Sequence, residues 1–285
     1  MAVAVTSCET TYARDGYAVV PGLLDDAALA TARAEATAIC RGRRGAFDGV
    51  VAPDEAESDL DVLRRYLCVH FPHKISEPLL DLARLPAAVD VLTAVIGPNV
   101  KLMQSMLFIK SAGRPGQAWH QDETHIPTRD RSLTAIWIAL DDATVENGCL
   151  WVIPGSHRAG VLYPVRDQDD DRFDCTQEAY GFAYREEQAI PVEAPAGSAV
   201  VFDGYLLHRS LPNSNRHGTR RALVNHYMSA ESLLPWFPPG PDTAMGRHDH
   251  RDIVLIAGED PYAFRGTEDI VRPHVRADGN GGCAR

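Results

Sequence analysis

No apolar stretch among the 285 residues approaches the roughly 20 needed to cross a bilayer; runs such as 133–140 and 199–202 are strand-sized. Basic charge is also in deficit: 28 Lys and Arg stand against 39 Asp and Glu, a formal net charge of −11, with no dense basic stripe. That argues against nucleic acid or an anionic membrane surface as a partner and favours a cationic small molecule. The first residues hold no basic segment followed by an apolar core, so no secretory signal is expected. Six cysteines are scattered without a CxxC pair, which excludes a zinc finger or a disulfide scaffold and predicts reduced, structural thiols in a cytoplasmic protein. There is no internal repeat and no Ser/Gly linker. With 45% apolar and 24% charged residues the balance is that of an ordinary globular chain, and a single domain over 1–285 is expected.

What is present changes texture near residue 99. Before it, 16–21 has the β-branched and aromatic content of a short strand. Asp25 or Asp26 can cap an Ala-rich helix running to about Cys40. Residues 46–61 read as a mobile acidic loop. Apolar residues then recur at helical spacing from Glu77 to Ile96, interrupted by Pro86 and ended by Gly97-Pro98, which predicts two consecutive helices. After Asn99 come short strand-like runs at 100–110, 133–140, 149–153, 188–192, 198–202 and 220–228, separated by Gly, Pro, Asn and Asp. The chain therefore reads as mainly β, a sandwich or jelly roll with an outer layer of N-terminal helices: a helical part at about 1–98, a core at about 99–230, and a coil-like extension at 231–285. The acid- and aromatic-rich stretch 163–187 lacks periodicity and reads as a lid or a disordered loop.

His120 and Asp122 stand two apart in Trp119-His-Gln-Asp122, so on an extended segment both point to one side. If that side is the interior of a sandwich, they offer a nitrogen and an oxygen to one point. His208 follows the apolar run 199–202 and supplies a second imidazole. Two histidines and a carboxylate on one face of an octahedron, with the other face open, suit an oxygen-activating non-haem Fe(II) centre. Arg220 opens the next strand, and its guanidinium fork matches a carboxylate such as the distal one of 2-oxoglutarate. Arg221 is its rival, because a one-residue slip exchanges the faces of a strand. Taken singly, a lone His or Arg is more often a satisfied structural residue. A cupin-like isomerase or hydrolase without 2-oxoglutarate, and a non-catalytic cupin-like small-ligand binder, are the readings from other classes.

The ordered set His120-x-Asp122, Ile136-Trp-Ile-Ala-Leu-Asp-Asp142, Glu146-Asn-Gly-Cys-Leu150, Ile153-Pro-Gly-Ser-His-Arg158, His208 and Arg220 resembles the phytanoyl-CoA dioxygenase (PhyH) family of Fe(II)/2-oxoglutarate oxygenases. The resemblance runs over about 12–228. It implies a double-stranded β-helix (jelly roll) with the metal in its mouth, held by His120, Asp122 and His208. Arg220, assisted by Ser210, would hold the distal carboxylate of 2-oxoglutarate, with Trp137 beside it. Gln104, ahead of Lys110, is the candidate for the other end. The implied cofactors are Fe(II), 2-oxoglutarate and O2, with ascorbate as reductant in assays, and the implied products are succinate, carbon dioxide and an oxidised C–H bond. The carboxylate at 122 argues against halogenating relatives. The Pro154–Arg158 block reads as a structural turn. Of the spare imidazoles His125, His217 and His226, only His125 suggests a pocket wall.

For the substrate, Glu123 beside the metal motif and Asp170 and Asp174 in the stretch 163–187 predict a carboxylate-lined pocket for a polycationic, hydroxyl-rich metabolite. Length, acidity and pattern are similar to family members that oxidise aminoglycosides of the kanamycin type in antibiotic biosynthesis. That implies oxidative deamination: hydroxylation at an amine-bearing carbon, then collapse to a ketone and ammonia. The alternative is a hydroxylase of a polyketide, amino acid or acyl metabolite.

Overall fold

The computed structural model describes residues 2–214, 218–232, 236–237, 247–248, 252–269 and 271–277. Two antiparallel sheets face one another. The larger runs, in spatial order, through Tyr17–Val20, Ala199–Asp203, Thr134–Ala139, Arg220–Ser229, Val100–Lys110, Tyr66–His70 and His274–Ala277, and Val254–Ala257 also pairs with the 100–110 strand. The smaller holds Gln117–His120, His208–Ser210, Leu150–Val152 and Ile190–Val192. This is the double-stranded β-helix that the sequence led us to expect.

Both faces of the larger sheet are covered, which is why its strands read as near-continuous apolar runs rather than as a clean alternation. One face, with Leu107, Ile109, Ile136, Ile138, Val201 and Leu223, packs on Ala32 and Ile39 of the helix Asp26–Cys40 and on Leu79 and Leu92 of the helices Glu77–Ala83 and Pro86–Val95. The opposite face, with Trp137, Val200, Phe202 and Val224, meets Leu150, Val152 and Val192 of the smaller sheet. The helix starts follow from their capping chemistry. Asp25 accepts from the Ala28 N–H at 2.8 Å, Ser76 accepts from the Leu79 N–H at 3.3 Å, and Pro86 occupies a first-turn position where no N–H is missed.

Four regions differ from the sequence reading. A helix, Ala2–Asp15, precedes the first strand. The acidic stretch after residue 46 leads into a Ser58-capped helix, Asp59–Leu63, and then the strand Tyr66–His70. The C-terminal extension is not all coil: Val254–Ala257 and His274–Ala277 join the larger sheet. The extension is held by ion pairs, Lys101 with Asp260 at 2.5 Å and Lys74 with Asp269 at 2.6 Å, and by Val254, Ile256 and Ala257, an apolar run packed on the core that the coil reading passed over. Finally, 163–187 is tied into the core. Val165–Arg166 pairs with Glu178–Ala179, and Gly116 bonds on both sides to this stretch, its N–H to the Arg172 carbonyl at 2.7 Å and its carbonyl to the Asp174 N–H at 2.8 Å. Cys8, Cys40, Cys68 and Cys149 are free and buried, but Cys175 is disulfide-bonded, which corrects the expectation of reduced thiols throughout. No helix among the described residues is long and apolar enough to cross a membrane.

Candidate active site

The two histidines are brought together by strand pairing. His208 sits directly opposite His120 in the smaller sheet, and their ring centroids are 4.0 Å apart. Asp122 is not on the strand but opens the short 3-10 turn Asp122–Thr124, which brings its carboxylate back to the same side. Its Oδ1 lies 3.7 Å from His120 Nε2 and 3.6 Å from His208 Nε2, and the three side chains are buried. Two donors each about 2.1 Å from a common ion stand about 3–4 Å apart. The rings are held for that purpose: His120 Nδ1 bonds to the Ala118 carbonyl at 2.8 Å and His208 Nδ1 to the Leu206 carbonyl at 3.0 Å. With the proton on Nδ1, each Nε2 presents a lone pair to the same point. Burial, with His208 alongside, pushes His120 down to about 3, so it stays neutral. Burial alone would raise the Asp122 carboxyl, but His208, His226 and His120 hold it well below the usual carboxylate range.

His226, read from sequence as a spare imidazole, donates from Nε2 to the other carboxylate oxygen of Asp122 at 3.0 Å. The signal for it was parity. On the strand Arg220–Ser229, residues 220, 222, 224 and 226 share one face, so a side-chain period of two places His226 with Arg220.

Arg220 is buried, its guanidinium 5.3 Å from the Trp137 ring centroid. One amino group donates to the Gly148 carbonyl at 2.6 Å, and its buried Nε has no hydrogen-bond partner among the described residues. Burial lowers its pKa to about 10, still charged at neutral pH. An underused guanidinium in an apolar surround is a fitting receptor for a carboxylate. Ser210 is beside it through Lys110, which stands opposite Arg220 in register and donates to Ser210 Oγ at 2.8 Å and the Leu211 carbonyl at 2.6 Å. Burial and the neighbouring Arg220 push the Lys110 ammonium well below its ordinary value. Lys110, second to Gln104 in the sequence reading, therefore lies on the side of Arg220 and Ser210. Gln104, opposite His226, lines the cavity nearer the triad. Arg221 points to the other face, where it donates two hydrogen bonds to Asp141, Nε to Oδ2 and Nη2 to Oδ1, each at 2.8 Å.

These groups open onto a cavity of about 340 Å³. His125 lines it. Two of the expected substrate carboxylates do not: Glu123 is turned onto Thr128, accepting from its N–H at 2.5 Å and its hydroxyl at 2.7 Å, and Asp170 pairs with Arg172 at 2.6 Å on the surface. Burial raises Glu123 to about 7, so it is a poor counter-charge. Asp174 does reach the cavity, but it faces Arg276 at 3.4 Å. Gly116 brings the cavity rim against the metal strand, since a Cβ there would lie 1.9 Å from the Ser210 carbonyl oxygen. The Pro154–Arg158 block is a turn, with Gly155 at φ 77° and Ser156 Oγ accepting from the Leu207 N–H at 2.9 Å, one residue before His208. His217 lies outside the described residues.

The model of the family described as phytanoyl-CoA dioxygenase (PhyH) matches residues 12–222. The chain belongs to the PhyH family. Among PhyH relatives, phytanoyl-CoA dioxygenase 1 of Oryza sativa subsp. japonica is 39% identical over 132 residues, covering 46% of this chain and 45% of the relative. The chain thus spans about half the length of the curated relatives it matches. Two solved structures share the PhyH-type fold. The apo form of the non-heme monooxygenase ThoJ has a TM-score of 0.67 and 19% identity, over 96% of this chain and 89% of that one. The epimerase SnoN, solved with Fe3+, alpha ketoglutarate and nogalamycin RO, has a TM-score of 0.65 and 22% identity, over 90% and 100%.

Proposed function

We propose that this protein is an Fe(II)- and 2-oxoglutarate-dependent oxygenase that oxidises a C–H bond of a small metabolite. The observation that carries the reading is the buried His120–Asp122–His208 cluster, whose ligand atoms all lie within 4.8 Å of one another, opening onto the cavity that also holds Arg220. The donor set fits iron: both Nε2 atoms are unprotonated by virtue of their Nδ1 bonds, and a facial set of two imidazoles and one carboxylate leaves positions open. Bound iron would let O2 act as the oxidant, with two of its four electrons drawn from 2-oxoglutarate, which leaves as succinate and carbon dioxide, and two from the substrate C–H bond. The chain's own part is positional. His120, Asp122 and His208 would hold the metal, His226 fixes the carboxylate of Asp122, and Arg220 with Ser210 and Lys110 would take the distal carboxylate of 2-oxoglutarate. Trp137 flanks Arg220, and Gln104 is placed to meet the other end. The apolar wall of Leu67, Met106, Phe108 and Phe202 keeps water from the reacting carbon.

For the substrate, oxidative deamination of an aminoglycoside of the kanamycin type draws its support from the acidic chain. The cavity lining favours the second reading, hydroxylation of an apolar-bodied natural product: beside its apolar wall it presents Lys110, Arg220 and Arg276 against Asp122 and Asp174, while the Arg209 guanidinium turns away to Glu186 and Trp119. The relationship to SnoN, described as an enzyme of nogalamycin biosynthesis, is consistent with a natural-product substrate. The deciding assay follows succinate formation with Fe(II), ascorbate and 2-oxoglutarate across aminoglycosides, acyl compounds and polyketides. Succinate with ammonia only for an amino sugar would restore the deaminase reading. Stimulation by an apolar carboxylate or polyketide supports the hydroxylase. No succinate from metal-loaded protein under any condition removes the oxygenase reading altogether.

A further inference from the structure

The cavity face of the larger sheet continues beyond the residues that match the family. Outward from the strand Arg220–Ser229, one register row runs Ala222, Phe108, Cys68, Arg276, and the next runs Val224, Met106, His70, His274. The outermost member of each comes from the C-terminal strand His274–Ala277, past residue 222 where the family match ends. Arg276 lines the same cavity as His120 and Arg220. It stands three strand spacings from Ala222, about 14 Å along the sheet, and so forms a cationic pole separate from the one that faces Trp137.

This guanidinium is under-partnered. Its side chain is only 15% exposed and lies 5.8 Å from the Phe108 ring centroid. Its Nε is buried with no hydrogen-bond partner among the described residues. Among the described residues its one ion-pair contact, to Asp174, is at 3.4 Å, longer than the roughly 2.7–2.9 Å of a well-made charge-assisted bond, and its other side-chain partner is the neutral Cys68 thiol. A charge withdrawn from water is costly until hydrogen bonds complete it. We propose that Arg276 anchors a carboxylate of the substrate, with the apolar body of that substrate lying over Phe108 and Met106 towards the metal. Asp174, on the stretch 163–187, then holds the guanidinium in place when no substrate is bound and competes with the incoming anion. The assignment rests on the oxygenase reading of the site and adds to it a substrate class: a small carboxylic acid with an apolar body.

The test uses the full chain loaded with Ni(II) and saturating 2-oxoglutarate, titrated calorimetrically with octanoate and with its neutral counterpart octanamide. Wild-type protein should prefer octanoate by at least about tenfold, the worth of a hydrogen-bonded charge. Arg276→Gln should erase that preference and leave octanamide binding unchanged, Arg276→Lys should retain part of it, and Asp174→Asn should tighten octanoate. A mere latch between the two segments predicts something else: Arg276→Gln and Asp174→Asn would weaken both probes alike. That result, or a preference that survives Arg276→Gln, or none in the wild type, overturns the proposal. The affinity for 2-oxoglutarate is measured on every variant and should not move. Wild-type protein that fails to bind 2-oxoglutarate would overturn the oxygenase reading and this inference together, whereas normal 2-oxoglutarate binding with indifference to octanoate sinks the inference alone.

Discussion

Asp122 divides its work between two oxygens. Oδ1 faces both imidazoles of the triad, and Oδ2 accepts from His226. Removing that second bond leaves the carboxylate free to rotate and its outer oxygen buried without a donor. His226→Ala should therefore lower metal affinity by about 10–100-fold, the usual cost of losing an outer-shell partner, and His226→Gln should recover part of it. A Co(II) titration followed by absorbance measures this; an unchanged dissociation constant would show that Asp122 orients itself. The neighbouring pair Arg220 and Arg221 should separate cleanly. Arg221→Ala breaks the two-bond ion pair with Asp141 and should cost about 1–3 kcal/mol of stability while leaving 2-oxoglutarate affinity intact. Arg220→Ala should abolish 2-oxoglutarate binding, as read by calorimetry beside thermal denaturation. If the two phenotypes are exchanged, the face assignment is wrong. Sequence could name His120, Asp122, His208 and Arg220 because their order along the chain carries the pattern. It could not assign Lys110, whose place beside Ser210 depends on register across two sheets.

At the level of elements, strand and helix positions were legible where local chemistry decided them. The cap at Asp25, the break at Pro86 and the apolar runs from 100 to 228 all became elements close to their expected bounds. In the C-terminal extension Val254–Ala257 is an apolar run that a strand reading could have caught, whereas His274–Ala277 has no such run and is placed by its pairing with Tyr66–His70. One short element has a pH signature of its own. The turn Pro72–Lys74 tucks His73 into the fold, where its Nδ1 meets Ser105 Oγ at 2.6 Å. Burial, with Lys74 adjacent, pushes His73 down to about 4. The folded chain thus refuses a proton that the unfolded chain takes below about pH 6.5. The contribution is complete above that pH and is lost as pH falls towards 4, at a slope of about 1.4 kcal/mol per pH unit. Chemical denaturation of His73→Gln and wild type between pH 6.5 and 4.5 should show the flatter dependence in the variant. Parallel curves would mean that His73 is protonated within the fold.

For the molecule as a whole, net charge does not report the charge of the cavity. A chain of formal charge −11 encloses a cavity lined by Lys110, Arg220 and Arg276, because composition sums over a surface while a ligand meets one lining. That lining also makes a prediction about linkage. Without metal, a 2-oxoglutarate held at Arg220 would bring its other end towards the ionised Asp122; with a divalent ion on the triad, the same end meets positive charge. Metal and 2-oxoglutarate should therefore bind with positive coupling of about 1–3 kcal/mol, and each should raise the other's affinity by the same factor. In a thermal melt, Ni(II) alone should stabilise, 2-oxoglutarate alone should do little, and both together should exceed the sum. Chelation should return the melt to that of the metal-free protein. His208→Ala should remove the coupling by losing the metal, and Arg220→Ala should remove it while metal binding survives. If the two shifts simply add in the wild type, the triad and Arg220 do not share one ligand, and the arrangement of the cavity around 2-oxoglutarate is refuted.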